Sequence, residues 1–193
     1  MTEEDVNYKE YVTADGGTVN FTCPICNSDK AVVTQRLLQI PYYDDFHAII
    51  FICPDCGLRR TDFANISSKG PTRYSYVVNS LEDFSTKIVR SIEGLFKIPE
   101  IGVEIHPATS PSSWIRNVEG ILLDIKEKVT IARDQAETEE SKQNAIALLE
   151  RLDTMLEGGE SFTLWIEDDT GNSVIIPANP DKLHVEYYEA LQN

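Results

Sequence analysis

The chain has 193 residues, 41% of them hydrophobic, and sets 17 Lys and Arg against 32 Asp and Glu for a net charge of −15. Such a balance repels phosphate backbones and disfavours general nucleic-acid binding, and an acidic surface suits solubility or a basic protein partner. No apolar run approaches the ~18 residues of a membrane span, and residues 1–7 are acidic and polar, unlike a signal peptide. The expected setting is therefore the cytoplasm, a reducing one in which cysteines stay free.

After an N-terminal tail over residues 1–18, all four cysteines fall in two matching pairs. They are Cys23-Pro24-Ile25-Cys26 and, after a spacer of 26 residues, Cys53-Pro54-Asp55-Cys56. Two such pairs can aim four thiolates at one tetrahedral centre, and Zn²⁺ accepts four sulfurs at about 2.3 Å. Proline fixes φ within each knuckle, and Gly57 can take the positive φ that turns backbone N–H groups towards the sulfurs. A pair of disulfides or a redox pair are the alternatives, but a redox motif comes once and on a βαβ unit. One structural Zn²⁺ on Cys23, Cys26, Cys53 and Cys56 is expected, with no open coordination position for chemistry.

Residues 31–40 (AVVTQRLLQI) and 47–52 (HAIIFI) read as two strands of a zinc ribbon over 19–68. The loop between them carries Tyr42, Tyr43 and Phe46, aromatics that must pack on a neighbouring domain or on a partner. Arg59 and Arg60 read as surface strand positions. From residue 69 the pattern turns to short β-like runs at 74–78, 87–90, 95–98 and 102–105, punctuated by Pro71, Gly94, Pro99 and Pro107, as in a sandwich or barrel.

Two helical patterns interrupt these runs over about 112–157. Trp114, Val118, Ile121, Leu122, Ile125 and Val129 recur at three- and four-residue steps, with Ser112 or Ser113 as N-cap. Ala145, Leu148, Leu149, Leu152 and Leu156 repeat the pattern, and Gly158-Gly159 ends it. The charges of this hairpin alternate in sign, which marks a solvated face. Strands resume with Phe162, Leu164 and Ile166, a turn by composition at 168–173, the run Val174-Ile175-Ile176, and a last run at 183–188. The helices are thus an insertion within one β domain spanning 69–193.

The order of several blocks resembles the ZPR zinc-finger family over nearly the whole chain. They are the paired CPxC knuckles, Ile40-Pro41-Tyr42-Tyr43, Ile98-Pro99-Glu100-Ile101 with Glu104, Val118-Glu119-Gly120, and Phe162-Thr163-Leu164 leading to Asp168, Gly171, Asn172 and Ser173. The resemblance implies a mainly β fold, in which a four-cysteine zinc ribbon is followed by a double-stranded β-helix, jelly-roll-like, with an inserted helical hairpin. One ribbon and one β domain look like the single-module form found in archaea. Asp169 stands where the family usually has proline, and Arg116-Asn117 where it has two threonines.

The resemblance also implies a non-catalytic, protein-binding role, as adaptor or dedicated chaperone of translation elongation factor 1-alpha. Candidate contact residues are then Ile40, Pro41, Tyr42, Tyr43 and Phe46 of the ribbon loop, with Asp168, Gly171, Asn172 and Ser173 of the acidic turn. Aromatic anchors with a polar rim are what a protein interface needs. A zinc-ribbon module for RNA or DNA is the main alternative. A cupin-like metalloenzyme is the remoter one, since it needs a histidine cluster and the chain has only His47, His106 and His184.

Overall fold

A computed structural model describes residues 18–39, 45–65, 70–107 and 112–189. The ribbon is a four-stranded antiparallel sheet in the order β1-β2-β3-β4, built from β1 (Thr18–Phe21), β2 (Ala31–Gln39), β3 (Asp45–Ile52) and β4 (Arg59–Asn65). Its β-branched runs alternate faces with period two. In register, Leu38 pairs with Phe46, and Ala48 lies between Arg36 and Phe63, which brings Leu38, Phe46, Ala48 and Phe63 onto one buried face.

The β domain follows with β5 (Thr72–Val78), β6 (Lys87–Arg90), β7 (Leu95–Ile98), β8 (Val103–Ile105), β9 (Trp114–Asn117), β10 (Phe162–Asp168), β11 (Val174–Ile176) and β12 (Leu183–Tyr187). They form a five-stranded sheet, β12-β5-β10-β7-β8, and a three-stranded sheet, β11-β6-β9. Along β5 and β10, Tyr74, Tyr76, Val78, Phe162, Leu164 and Ile166 point inward, while Arg73, Ser75, Val77, Thr163, Trp165 and Glu167 point outward. The inward side chains meet Ile88, Val89, Val174 and Ile175 of the smaller sheet in the layered packing of a jelly roll.

The helical hairpin, α1 (Val118–Asp134) and α2 (Glu139–Leu156), stands between β9 and β10. It closes the core with Val118, Ile121, Leu122, Ile125, Leu152 and Met155. Its first helix starts later than the periodicity suggests. Trp114 belongs to β9, opposite Arg90 of β6, and packs edge to face on Phe96 at 5.7 Å. Neither Ser112 nor Ser113 is the cap; Asn117 is, its Oδ1 accepting from Gly120 N–H at 2.9 Å. Gly158, at φ 76, closes α2 by donating to the Met155 carbonyl at 2.9 Å. Among the described residues no helix is long and apolar enough to cross a membrane.

The ribbon does not hang from the β domain as a separate bead. Leu38, Phe46, Ala48 and Phe63 belong to the same buried cluster as the jelly-roll strands and the hairpin. At the edge of the ribbon, Ser113 donates its backbone N–H to the Thr61 carbonyl at 3.2 Å and its hydroxyl to Asp62.

A buried ionic knot fixes the far end of the five-stranded sheet. Asp83, 1% exposed, accepts from Tyr76 Oη at 2.7 Å, from the Asn79 and Ser80 N–H groups at 3.0 Å each, and from Lys182 Nζ at 2.7 Å. Burial opposes ionisation of this carboxyl, but Lys182, Tyr76, Asn79 and Ser80 outweigh it and hold Asp83 well below the ordinary carboxylate range. Its ionised form is therefore favoured by the fold. The stabilisation is complete above the ordinary value of 3.8 and fades as pH falls below it towards the folded-state value. Asp83→Ala should destabilise by about 3 kcal/mol, because it strands Lys182 and Tyr76, which is a midpoint loss of about 6–12 °C in thermal unfolding. Asp83→Asn should flatten the loss of stability between about pH 4 and pH 2; a wild-type slope in that variant would count against the assignment.

Candidate metal centre

The two knuckles are built alike. Cys23 N–H donates to the Ser28 carbonyl at 2.8 Å and Cys53 N–H to the Leu58 carbonyl at 2.8 Å. Each turn is closed by Asn27 N–H onto the Cys23 carbonyl at 2.9 Å, and by Gly57 N–H onto the Cys53 carbonyl at 3.0 Å. Both closing residues take positive φ, Gly57 at 74° as its lack of a Cβ allows, and Asn27 at 56° in the left-handed region that Asn tolerates. Across the pair, Asp55 accepts from Ser28 Oγ at 2.6 Å and from Lys30 Nζ at 3.0 Å, so the knuckles are also joined outside the thiol cluster.

Cys23 and Cys53 are buried with Ala31 under Phe21 and Leu58, whereas Cys26 and Cys56 face outward. The four Sγ atoms all lie within 4.8 Å of one another. Two of the edges, Cys23–Cys56 and Cys26–Cys53, measure 3.7 and 3.6 Å. A tetrahedron of sulfurs at about 2.3 Å from a central zinc has edges of about 3.8 Å, so the set fits one zinc ion. The charges ask for it too. Cys23 is drawn down to about 7, chiefly by the backbone N–H of Cys26. Cys26, although the Ser28 N–H favours its thiolate, is pushed up to about 12 by desolvation and by the sulfurs of Cys56, Cys53 and Cys23. Four thiolates at this spacing need a cation among them, and when bound the metal would supply that charge and rigidity.

The remaining candidate residues are dispersed. Ile40, Pro41, Tyr42 and Tyr43 lie outside the described residues. Phe46 is wholly buried in the shared core, which is the neighbouring-domain packing open to the loop aromatics; it is not a presented anchor. The acidic turn also directs much of its chemistry inward. Asp168, 1% exposed, accepts from Ser91 Oγ at 2.6 Å, Ser173 Oγ at 2.5 Å, and Thr170 N–H at 2.8 Å. Burial opposes its ionisation, and these donors still hold its carboxyl below the usual range. Gly171, at φ 67, closes the turn onto the Asp168 carbonyl at 3.0 Å, and Ser173 is buried. Asp169 and Thr170 are exposed and Asn172 is half-buried, so only they present polar groups outward. Asp168 and Ser173 shape the turn from beneath because the hydroxyls of Ser91, Ser173 and Thr170 and the Thr170 amide satisfy that carboxylate internally.

Sequence reasoning missed Ser91, Arg90 and Gly94, which complete this network. Arg90 is fully buried and donates Nε–H to the Gly94 carbonyl at 2.7 Å and Nη1–H to the Ser112 carbonyl at 3.2 Å. Ser91 N–H donates to Ser173 Oγ at 3.0 Å. Their short polar segment reads as an ordinary turn, and nothing local marks its partners. The histidines do not converge: His47 is an exposed ribbon residue, His106 pairs with Glu104 at 2.8 Å, and His184 sits on β12. Among the described residues, only the four cysteines form a group of three or more potential ligands close enough for one ion.

Two outcomes follow from this geometry. Cys53→Ser should remove zinc and, through the shared core, lower the unfolding midpoint of the whole chain by about 10 °C or more in a single transition; an unchanged jelly-roll transition would separate the two parts. A Cβ on Gly94 would collide with Ser173 Oγ and press on Arg90 Cγ at 3.1 Å. Gly94→Ala should therefore cost about 1–3 kcal/mol, and adding Ser173→Ala should recover part of that loss in denaturant unfolding, as coupled neighbours do.

Comparison with known proteins places this architecture. A family model described as the ZPR1 jelly-roll domain matches residues 82–193. A ZPR1-like protein of Methanocaldococcus jannaschii is 35% identical over 155 residues, covering 80% of this chain and 78% of that protein. Another, of Pyrococcus horikoshii, is 30% identical over 158 residues, covering 80% of this chain and 71% of that protein. The zinc finger chaperone zpr1 of Schizosaccharomyces pombe is 28% identical over 164 residues, which cover 81% of this chain but only 34% of that longer protein. With its paired knuckles, its jelly roll and the hairpin between strands, the chain belongs to the ZPR1 zinc-finger family, of which it carries one module.

Proposed function

We propose that the chain is a zinc-containing, non-catalytic interaction module that serves as adaptor or dedicated chaperone of translation elongation factor 1-alpha. The observation that carries the reading is the closed thiolate set: four sulfurs fill the coordination of one zinc and leave no position for a substrate or an activated water. The Schizosaccharomyces pombe relative is named a zinc finger chaperone, which supports a protein as the ligand. The elongation factor is the partner implied by the family resemblance. The net charge of −15 favours a basic protein surface over nucleic acid.

We assign the partner contacts to Ile40, Pro41, Tyr42 and Tyr43 of the ribbon loop and to Asn172 on the turn after β10. Asp168, Gly171 and Ser173 serve by holding the shape of the turn that carries Asn172, and Phe46 by filling the shared core. The cytoplasm, where the elongation factor works, is the matching location.

The test is a titration of the zinc-loaded chain against its own elongation factor 1-alpha, nucleotide-free and in the GDP and GTP forms, at moderate salt. Saturable binding that changes with nucleotide state is expected, with Tyr42→Ala and Tyr43→Ala weakening it about tenfold or more as anchor residues do. Absence of binding in every nucleotide state would remove the elongation factor as partner.

A further inference from the structure

Trp165 stands on the outer face of β10, the middle strand of the five-stranded sheet, between Leu164 and Ile166, which are buried. It lies opposite Ser75 of β5 and Lys97 of β7, and Lys97 lies opposite Glu104 of β8. This row ends in a shallow cleft of about 390 Å³ lined by Lys97, Pro99, Gly102, Val103, Glu104 and Trp165.

The indole is also held by a neighbouring cation. The Arg73 guanidinium lies 5.3 Å from the Trp165 ring and 5.2 Å from that of Tyr188, and hydrogen-bonds to Glu167 and Glu186 at 2.9 Å each. Tyr188 Oη in turn donates to Asp169 at 2.6 Å. Arg73 is not among the residues that line the cleft. A ring held in this way needs little ordering when a ligand arrives.

The cleft has apolar walls in Pro99, Val103 and the indole, and its charges are those of Lys97 and Glu104. Glu104 is half exposed, 2.8 Å from His106 Nε2 and 3.5 Å from Lys97 Nζ. The loose contact with Lys97 is of the exposed kind that contributes little and is readily exchanged. Glu104, Glu167 and Glu186 share this outer face, on a chain of net charge −15.

We propose that the cleft receives the side chain of a basic residue, arginine or lysine, presented by a protein partner. Its aliphatic stem lies on Pro99 and Val103, and its cation sits between the Trp165 ring and the Glu104 carboxylate, where Lys97 and His106 are the internal competitors. The net charge of −15 draws such a segment in and turns an acidic one away. This inference rests on the interaction-module reading and names one contact within it.

The test uses the full zinc-loaded chain, ¹⁵N-labelled, and follows the Trp165 indole N–H signal while blocked arginine amide or lysine amide is added, with blocked glutamine amide as neutral control. The cationic amides should shift the signal saturably and the glutamine amide should not. Glu104→Gln should weaken arginine amide at least about threefold, and Lys97→Gln should tighten it by about as much. No shift, an equal shift with glutamine amide, or indifference to both variants overturns the proposal. The elongation-factor titration, repeated on Trp165→Ala and Glu104→Gln, separates the two claims. A factor that binds wild type and variants alike leaves the module reading standing and removes the cleft as a contact with it. A factor that binds none removes that reading, and the amide titration then decides the cleft alone.

Discussion

The inner face of the ribbon sheet has nowhere to go but the jelly-roll core. Leu38, Phe46, Ala48 and Phe63 complete the same apolar cluster as Tyr76, Phe96 and Leu164, and fully burying a side chain such as Phe46 contributes about 1.5–3 kcal/mol. This shared burial makes the position of the zinc knuckles relative to the β domain a property of packing and not of a linker. The Ser113 contacts to Thr61 and Asp62 then fix the register at the edge of the seam. Metal, ribbon and jelly roll form one mechanical unit, and a partner that grips the knuckles also grips the β domain.

Buried polar groups are placed where chain segments distant in sequence must be held together. Asp83 ties the end of β5 to the turn before β12 through Lys182. Asp168 ties the end of β10 to Ser91 after β6. Both carboxylates pay a desolvation cost that only complete hydrogen bonding offsets. Arg73, by contrast, works at the surface, where stacking and two carboxylates hold it across three strands. On the outer face of the sheet, side chains of neighbouring strands thus hold one another.

Much of this is legible in the sequence, for reasons that differ from site to site. The metal centre is local chemistry, in which four cysteines and their spacing carry the information, and the tetrahedral edge distances agree with it. Strands such as Lys87–Arg90 and Leu95–Ile98 are bounded by turn residues and read clearly. The start of α1 did not, because Trp114 and Val118 are spaced as a helix would space them, yet Trp114 packs on Phe96 from a strand. Periodicity counts residues and does not see what they touch. Asp168 looks like a presented carboxylate in the sequence for a similar reason: its partner Ser91 is 77 positions away, and a turn rich in Asp, Gly and Asn has the same composition whether it faces out or in.

The placement of the hairpin bears on how the chain comes to be folded as it is made. The five-stranded sheet pairs β5 with β10, so that Val78 waits for Phe162, and Thr72 for Asp168, across the whole hairpin. The ribbon leaves the ribosome first, able to take up metal, with its apolar face uncovered until the central strand of the sheet has been synthesised. At about 5–20 residues per second that interval lasts several seconds or more, and contacts of such long sequence separation close slowly. During that interval the face of Leu38, Phe46, Ala48 and Phe63 stays open to water, and transiently exposed apolar surface of this kind is prone to aggregation.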